Sequence, residues 1–474
     1  MTPGSGEGPA RENMMVWRMR ALLAGLGVCA TLGAPVAAES LRDAVRAAVT
    51  ENPAAKVREA EARATAFDLL ARERDFLPTV TASAEAGVYY YNDPARLSPA
   101  NNNRVSAAAR ANVEAAYVVF DGFRRANEVY RDAARVDETV FRLLDASETL
   151  ALSAVEAYID VLRHQQLVAV SRQNVARHRE ISGRVADLVE GGRLPSSDRF
   201  DAERRVMSAR LALVQVEEAL RSSQARYEAI VGHAPHGPMK IEWVHDLPLT
   251  GEAFTARAVR RSLSVKAADA GVKQAEYGVE VTESGRLPQV TARVGANAGL
   301  NGNGVPGAAY DAYAAVGAEW EIFAGGRKAE TRAAKMRIVQ AMAERDEAML
   351  DTRELAATTW YAYNANIERT VLLDRQLAAS RRAADQYYTQ FEAGTRSLLE
   401  VLDAEATWFN ARFEDISAEA SYAFNQYQIL AVESRLAEHF GIKNAGTALM
   451  PDFEARAVEN GPRSVFATEI PDLK

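Results

Sequence analysis

Apolar and polar residues alternate one for one in four separate stretches of the chain. Val290, Ala292, Val294, Ala296, Ala298 and Leu300 alternate with Thr291, Arg293, Gly295, Asn297 and Gly299. Tyr310, Ala312, Ala314, Val316, Ala318, Trp320 and Ile322 alternate with Asp311, Tyr313, Ala315, Gly317, Glu319 and Glu321. An earlier pair follows the same rule, with Val80, Ala82, Ala84, Ala86, Val88 and Tyr90 on one stretch and Val105, Ala107, Ala109, Ala111, Val113, Ala115, Tyr117 and Val119 on the other. Period two predicts β-strands with one apolar and one polar face, over 79–92, 103–120, 289–301 and 309–323. About ten residues is the length of a tilted strand that crosses a bilayer, and it also suits a half-buried strand of a soluble sandwich. Tyr89, Tyr90, Tyr91, Tyr117, Tyr310, Tyr313 and Trp320 stand near strand ends, where a membrane interface favours aromatic rings. Four strands cannot close a barrel, because the smallest bacterial ones have about eight. Strands that span a membrane here require several copies of the chain.

Between the strand pairs the pattern changes to that of very long helices. Residues 123–182 and 327–393 contain neither Gly nor Pro. At about 1.5 Å per residue, each can run roughly 90–100 Å, too far for a single globular domain. Such helices belong in a wall, a fibre or a tube. Small pairs such as Ala333-Ala334, Ala356-Ala357 and Ala383-Ala384 permit close packing. The helices are predicted to turn at Glu190-Gly191-Gly192 and at Ala393-Gly394, since a helix C-terminus favours glycine.

The whole pattern is written twice. Arg74-Asp75-Phe76-Leu77-Pro78 answers to Ser284-Gly285-Arg286-Leu287-Pro288, and Val119-Phe120-Asp121-Gly122-Phe123-Arg124-Arg125 to Ile322-Phe323-Ala324-Gly325-Gly326-Arg327-Lys328. Gly192 and Gly394 stand 202 positions apart, as do Asp201-Ala202-Glu203 and Asp403-Ala404-Glu405. The expected organisation is a first repeat over 39–236 with its turn near 190–197, a linker over 237–249, a second repeat over 250–441 with its turn near 392–397, and an irregular tail over 442–474. Each repeat reads as helix, strand, loop, strand, very long helix, turn, long helix.

Composition narrows the function. Arg18 and Arg20, the apolar run 21–32 and Pro35-Val36-Ala37-Ala38 read as a secretory signal peptide over 1–38. The only cysteine, Cys29, falls inside it, so the mature chain is expected to lack thiol, disulfide and cysteine–metal chemistry. The net charge of −8 carries no clustered basic face for nucleic acid. The mature part has no apolar run long enough for a spanning helix. Any passage through lipid is therefore by a closed barrel.

Candidate chemistry is sparse. Gly302-Asn303-Gly304-Val305-Pro306-Gly307 fits GxGxxG, but a dinucleotide site needs a helix to start there. Another strand follows instead, so the segment reads as a hairpin loop. His233-Ala234-Pro235-His236 lacks a nearby third ligand. No catalytic constellation, metal site or cofactor is expected. Glu400 and Asp403 stand three apart on one helix face. In a symmetric oligomer each becomes a ring of charge, and a carboxylate ring binds and selects cations. A first-turn acid that simply complements the helix dipole has the same sequence.

The duplicated order, the Leu-Pro before each first strand and the turn running from Gly394-Thr395-Arg396 to Val401-Leu402-Asp403-Ala404 together resemble the TolC family of outer-membrane channels, over nearly all of the mature chain. The resemblance implies an α+β membrane protein that forms a homotrimer. Four strands per subunit make a twelve-stranded β-barrel in outer-membrane lipid, joined to a long periplasmic α-helical barrel. It implies a passive, non-enzymatic exit duct for proteins or small molecules, working with a periplasmic adaptor and an inner-membrane transporter of ABC or RND type. By position, Glu400 and Asp403 match the acidic rings of the periplasmic entrance, and Arg396 and Asp198 match its lock. Phe391 stands where a gating tyrosine is usual. Gly192, Arg193, Leu194, Gly394 and Thr395 match the tips that receive the adaptor. Pro195 is a second departure. The alternative, on the residues alone, is a periplasmic coiled-coil structural or adaptor-like protein with a small soluble β domain.

Overall fold

The computed structural model describes residues 40–442, apart from 93 and 96. The expected signal peptide with Cys29, and the tail beyond residue 442, lie outside the described residues.

The elements follow the duplicated order. The first repeat comprises α1 (Leu41–Glu51), α2 (Pro53–Arg74), β1 (Thr79–Tyr91), β2 (Arg104–Phe120), α3 (Arg124–Glu190) and α4 (Ser196–Val231). The second comprises α5 (Gly251–Arg261), α6 (Leu263–Ser284), β3 (Gln289–Leu300), β4 (Ala308–Glu319), α7 (Arg327–Glu392) and α8 (Leu398–Val432), and a short α9 (Leu436–His439) follows. The helix expected before each strand pair is in fact two. In the first repeat Pro53 lacks the N–H that would continue α1, and Asn52 caps α2 by accepting from the Ala54 N–H at 2.9 Å. In the second, Ser262 caps α6 by accepting from the Val265 N–H at 3.3 Å. The last strand also ends earlier than its alternation, at Glu319. There Trp320 donates to the Arg286 carbonyl at 3.0 Å, and Arg327 donates to the Glu321 carbonyl at 2.7 Å, so the chain leaves the ladder.

The strands form one antiparallel sheet in the order β1-β2-β3-β4. Register keeps the apolar positions together. Ala84 faces Ala111, which faces Ala298, which faces Tyr310. That face is bare: Val80, Val88, Val113, Val294, Tyr310 and Val316 are all exposed. The opposite face is bound by polar side chains. Asn112 donates to Asn297 at 2.6 Å, Asn297 donates to Asp311 at 2.9 Å, and the Tyr313 hydroxyl donates to Glu114. The Tyr313 ring lies over Gly295, where a Cβ would come within 2.7 Å of it, so only glycine leaves room for the ring. The segment 302–307 is a hairpin loop closed by reciprocal bonds between Asn301 and Gly307.

The helices α3 and α7 have 67 and 66 residues, roughly 100 Å each. Near the sheet α2 packs on α3 through Ala62, Ala66, Leu69, Val129, Val136 and Val140. The largest core lies midway, where α1, α3, α4, α8 and α9 meet around Tyr158, Tyr227, Tyr427 and Leu436. Among the described residues no helix is long and apolar enough to cross a membrane.

Candidate functional site

The two turns at the far ends of α3 and α7 are built alike. Gly192 (φ 68°) and Gly394 (φ 78°) are left-handed. The Arg193 N–H bonds the Leu188 carbonyl at 2.9 Å and the Gly192 N–H bonds that of Val189 at 3.0 Å. The Thr395 and Gly394 N–H groups make the same pair of bonds to Gln390 and Phe391, both at 2.9 Å. These are Schellman closures, and they satisfy the last carbonyls of each long helix. No atom lies within 4 Å of a Cβ at either glycine. The backbone conformation therefore demands glycine, not the space around it.

The return helices start differently. Ser397 and Glu400 form a reciprocal capping box at the start of α8. The Ser397 hydroxyl, the Arg396 guanidinium and the Ser397 N–H together hold the Glu400 carboxyl down to about 2. Pro195 precedes α4 and offers no side-chain cap. Asp198, in the first turn of α4, accepts from the Ser197 hydroxyl at 3.3 Å.

Between the turns the side chains sort into an apolar seam and a set of ion pairs. Phe391 is buried with Ile181, Val185, Ala202, Leu398 and Val401. It is a packing residue of its own chain and has no hydroxyl to donate. Arg396 lies over the Tyr387 ring at 4.0 Å, donates to Gln390 at 3.0 Å and pairs with Glu400 at 2.6 Å. The single chain thus joins Arg396 to Glu400, while Asp198 sits on the other turn. Asp403 meets Arg205 of α4 at 2.9 Å, and buried Glu405 meets Arg177 of α3 at 2.7 Å. Arg177 and Arg205 were not among the residues expected from sequence. Their signal lay in the repeat: 202 positions on stand Ala379 and Thr407, so both arginines mark departures from the duplicated pattern.

Other candidates recede. His233 and His236 have their rings 5.3 Å apart, but no group of three potential metal ligands occurs among the described residues.

A duplicated, four-stranded sheet with a bare apolar face, carried on helices of this length, can be compared with known proteins. Residues 255–432 match the family of outer membrane efflux proteins. The chain is 24% identical over 402 residues to the outer membrane efflux protein BepC of Brucella suis, covering 84% of this chain and 85% of that one. It is 23% identical over 425 residues to the outer membrane protein TolC of Escherichia coli, covering 85% and 83%. The chain is thus similar to TolC-like channel subunits over most of its length. Its fold superposes on the CmeC outer membrane channel of Campylobacter jejuni with a TM-score of 0.74, covering 88% of each chain at 12% identity. As in those outer-membrane relatives, the chain belongs to the outer membrane, with its helical part in the periplasm.

Proposed function

We propose that three copies of this chain form a passive outer-membrane export duct, without catalysis or cofactor. The duct is closed at the helix turns until a periplasmic adaptor and an energised inner-membrane transporter, of ABC or RND type, engage it. The observation that carries this is the sheet. Its apolar face is exposed from β1 to β4 and its two edges are open, an arrangement stable in lipid only if neighbouring copies continue the ladder. Glu400 and Asp403 line the entrance. The tips Gly192, Arg193, Leu194, Gly394 and Thr395 receive the adaptor. The Gly394-Thr395-Arg396 turn with its following acids favours a protein-exporting or generalist duct.

The lock of the closed state is Arg396 of one copy on Asp198 of the next. A guanidinium has five donors, and Arg396 spends two on Gln390 and Glu400. Phe391 supports the turn by packing. Exposed ion pairs are individually weak, so the closed form is held by the sum of three of them around the ring. Arg396→Ser or Asp198→Ala is expected to raise the conductance of the reconstituted chain in planar bilayers, because the open form gains over the closed one. Conductance unchanged in both variants would remove the lock.

A further inference from the structure

We propose that Arg205 neutralises the acidic ring expected from Asp403 and so sets the ion selectivity of the periplasmic entrance. This rests on the assignment of the two turns to the entrance. The early part of α8 carries three carboxylates, Glu400, Asp403 and Glu405, and each meets an arginine of its own chain. The partners come from three different places: Arg396 from the turn at 2.6 Å, Arg205 from α4 at 2.9 Å, and Arg177 from α3 at 2.7 Å. The end of α7 continues the scheme, with Glu392 facing Arg184 at 3.6 Å. Sequence spacing showed the acids because they share one helix. It hid the arginines because they arrive from other elements.

Of these pairs, Asp403–Arg205 governs what a passing ion meets. Glu405 is buried and out of reach. Glu400 is tied into its own capping box and to Arg396. The Asp403 side chain is 61% exposed, while that of Arg205 is 28% exposed and lies near His178. His178 is buried, and burial followed by the charges of Arg205 and Arg177 lowers its pKa. The imidazole therefore stays neutral at physiological pH and adds no charge to the set. A guanidinium is charged at any accessible pH. In three copies the uncompensated ring expected from sequence becomes a ring of neutral pairs, which admits anionic and cationic solutes alike.

The test uses the full chain in planar bilayers under a KCl gradient, with hexaamminecobalt(III) on the periplasmic side as the probe. The wild type is expected to pass K⁺ and Cl⁻ with little preference and to be blocked weakly. Arg205→Gln frees one carboxylate per copy. At separations near a Debye length, three such charges acting on a trivalent cation lower the blocking concentration by about tenfold and turn the reversal potential towards K⁺. Asp403→Asn frees the arginine instead and shifts the reversal potential towards Cl⁻. Arg205→Lys keeps the charge and should match the wild type, which separates charge from folding. Arg205→Gln that leaves block and reversal potential unchanged, while Asp403→Asn alters them, would overturn the charge balance alone. Conducting channels indifferent to both substitutions would overturn the placing of the turns at the entrance as well.

Discussion

Glu148 sits in the middle of α3 with almost no water around it. It is 8% exposed, and its carboxylate accepts from the Leu436 and Ala437 N–H groups at 2.9 and 3.2 Å, closing the start of α9. Burial dominates those two bonds and pushes its pKa up to about 7, with Asp145 and Glu438 adding to the rise. A carboxyl raised in the folded state binds protons that the unfolded chain releases. Its stabilising contribution is complete below about pH 4.5 and is lost as pH rises through about 7, an effect of up to roughly 3 kcal/mol. The melting temperature of the wild type should therefore fall between pH 5 and 8 more steeply than that of Glu148→Gln, which cannot ionise. Parallel curves in calorimetry would show that Glu148 is not the titrating group. Nothing in the sequence around Glu148 marks it. It is one acid among many on a charged helix, and its burial comes from α9, nearly three hundred positions away.

At the scale of elements, strands were the most legible part of the chain because period two depends on nothing distant. The alternation over 79–92 lies on β1, and the polar partners of one strand meet those of the next, as Ser83 meets Asn112 and Asn112 meets Asn297. The long helices were legible from absence, since a run without Gly or Pro has little that would end it. What escaped were the features set by neighbours: the break at Ser262, the early end of β4 where Trp320 turns to the Arg286 carbonyl, and the arginines that meet Asp403 and Glu405. The same alternation makes a sharp prediction about faces. Ala84 belongs to the bare apolar face opposite Ala111, and Ser83 to the polar face. Near the middle of a strand in lipid an arginine on the outer face costs about 2–4 kcal/mol per copy, whereas the inner face tolerates it. Ala84→Arg should greatly reduce the heat-modifiable, folded form in outer-membrane fractions, while Ser83→Arg should leave it near the wild-type level. Equal yields for the two would mean that this sheet does not face lipid.

The molecule as a whole is unfinished in one copy, and the helices say so as clearly as the sheet. On α7, Val339, Leu350, Tyr361 and Leu372 recur every eleven residues, and all four are exposed. Eleven residues make just over three full turns, so the four side chains form one gently slanting apolar line about 50 Å long. On α4, Phe200, Met207, Leu211 and Val214 are likewise exposed and share a face. The two stripes lie on different helices. A contact between unlike surfaces generates a ring when the rotation closes, which is the symmetry a duct requires. Each leucine buried in such a seam contributes about 1.5–3 kcal/mol, and an aspartate in its place must also lose its hydration. Leu350→Asp combined with Leu372→Asp is therefore expected to convert the detergent-solubilised protein from trimer to monomer by light scattering, with helical content retained by circular dichroism. Glu347→Ala, an exposed polar position on the same helix, should remain trimeric. A trimer that survives both aspartates would place the subunit contact elsewhere and leave the α7 stripe without a partner.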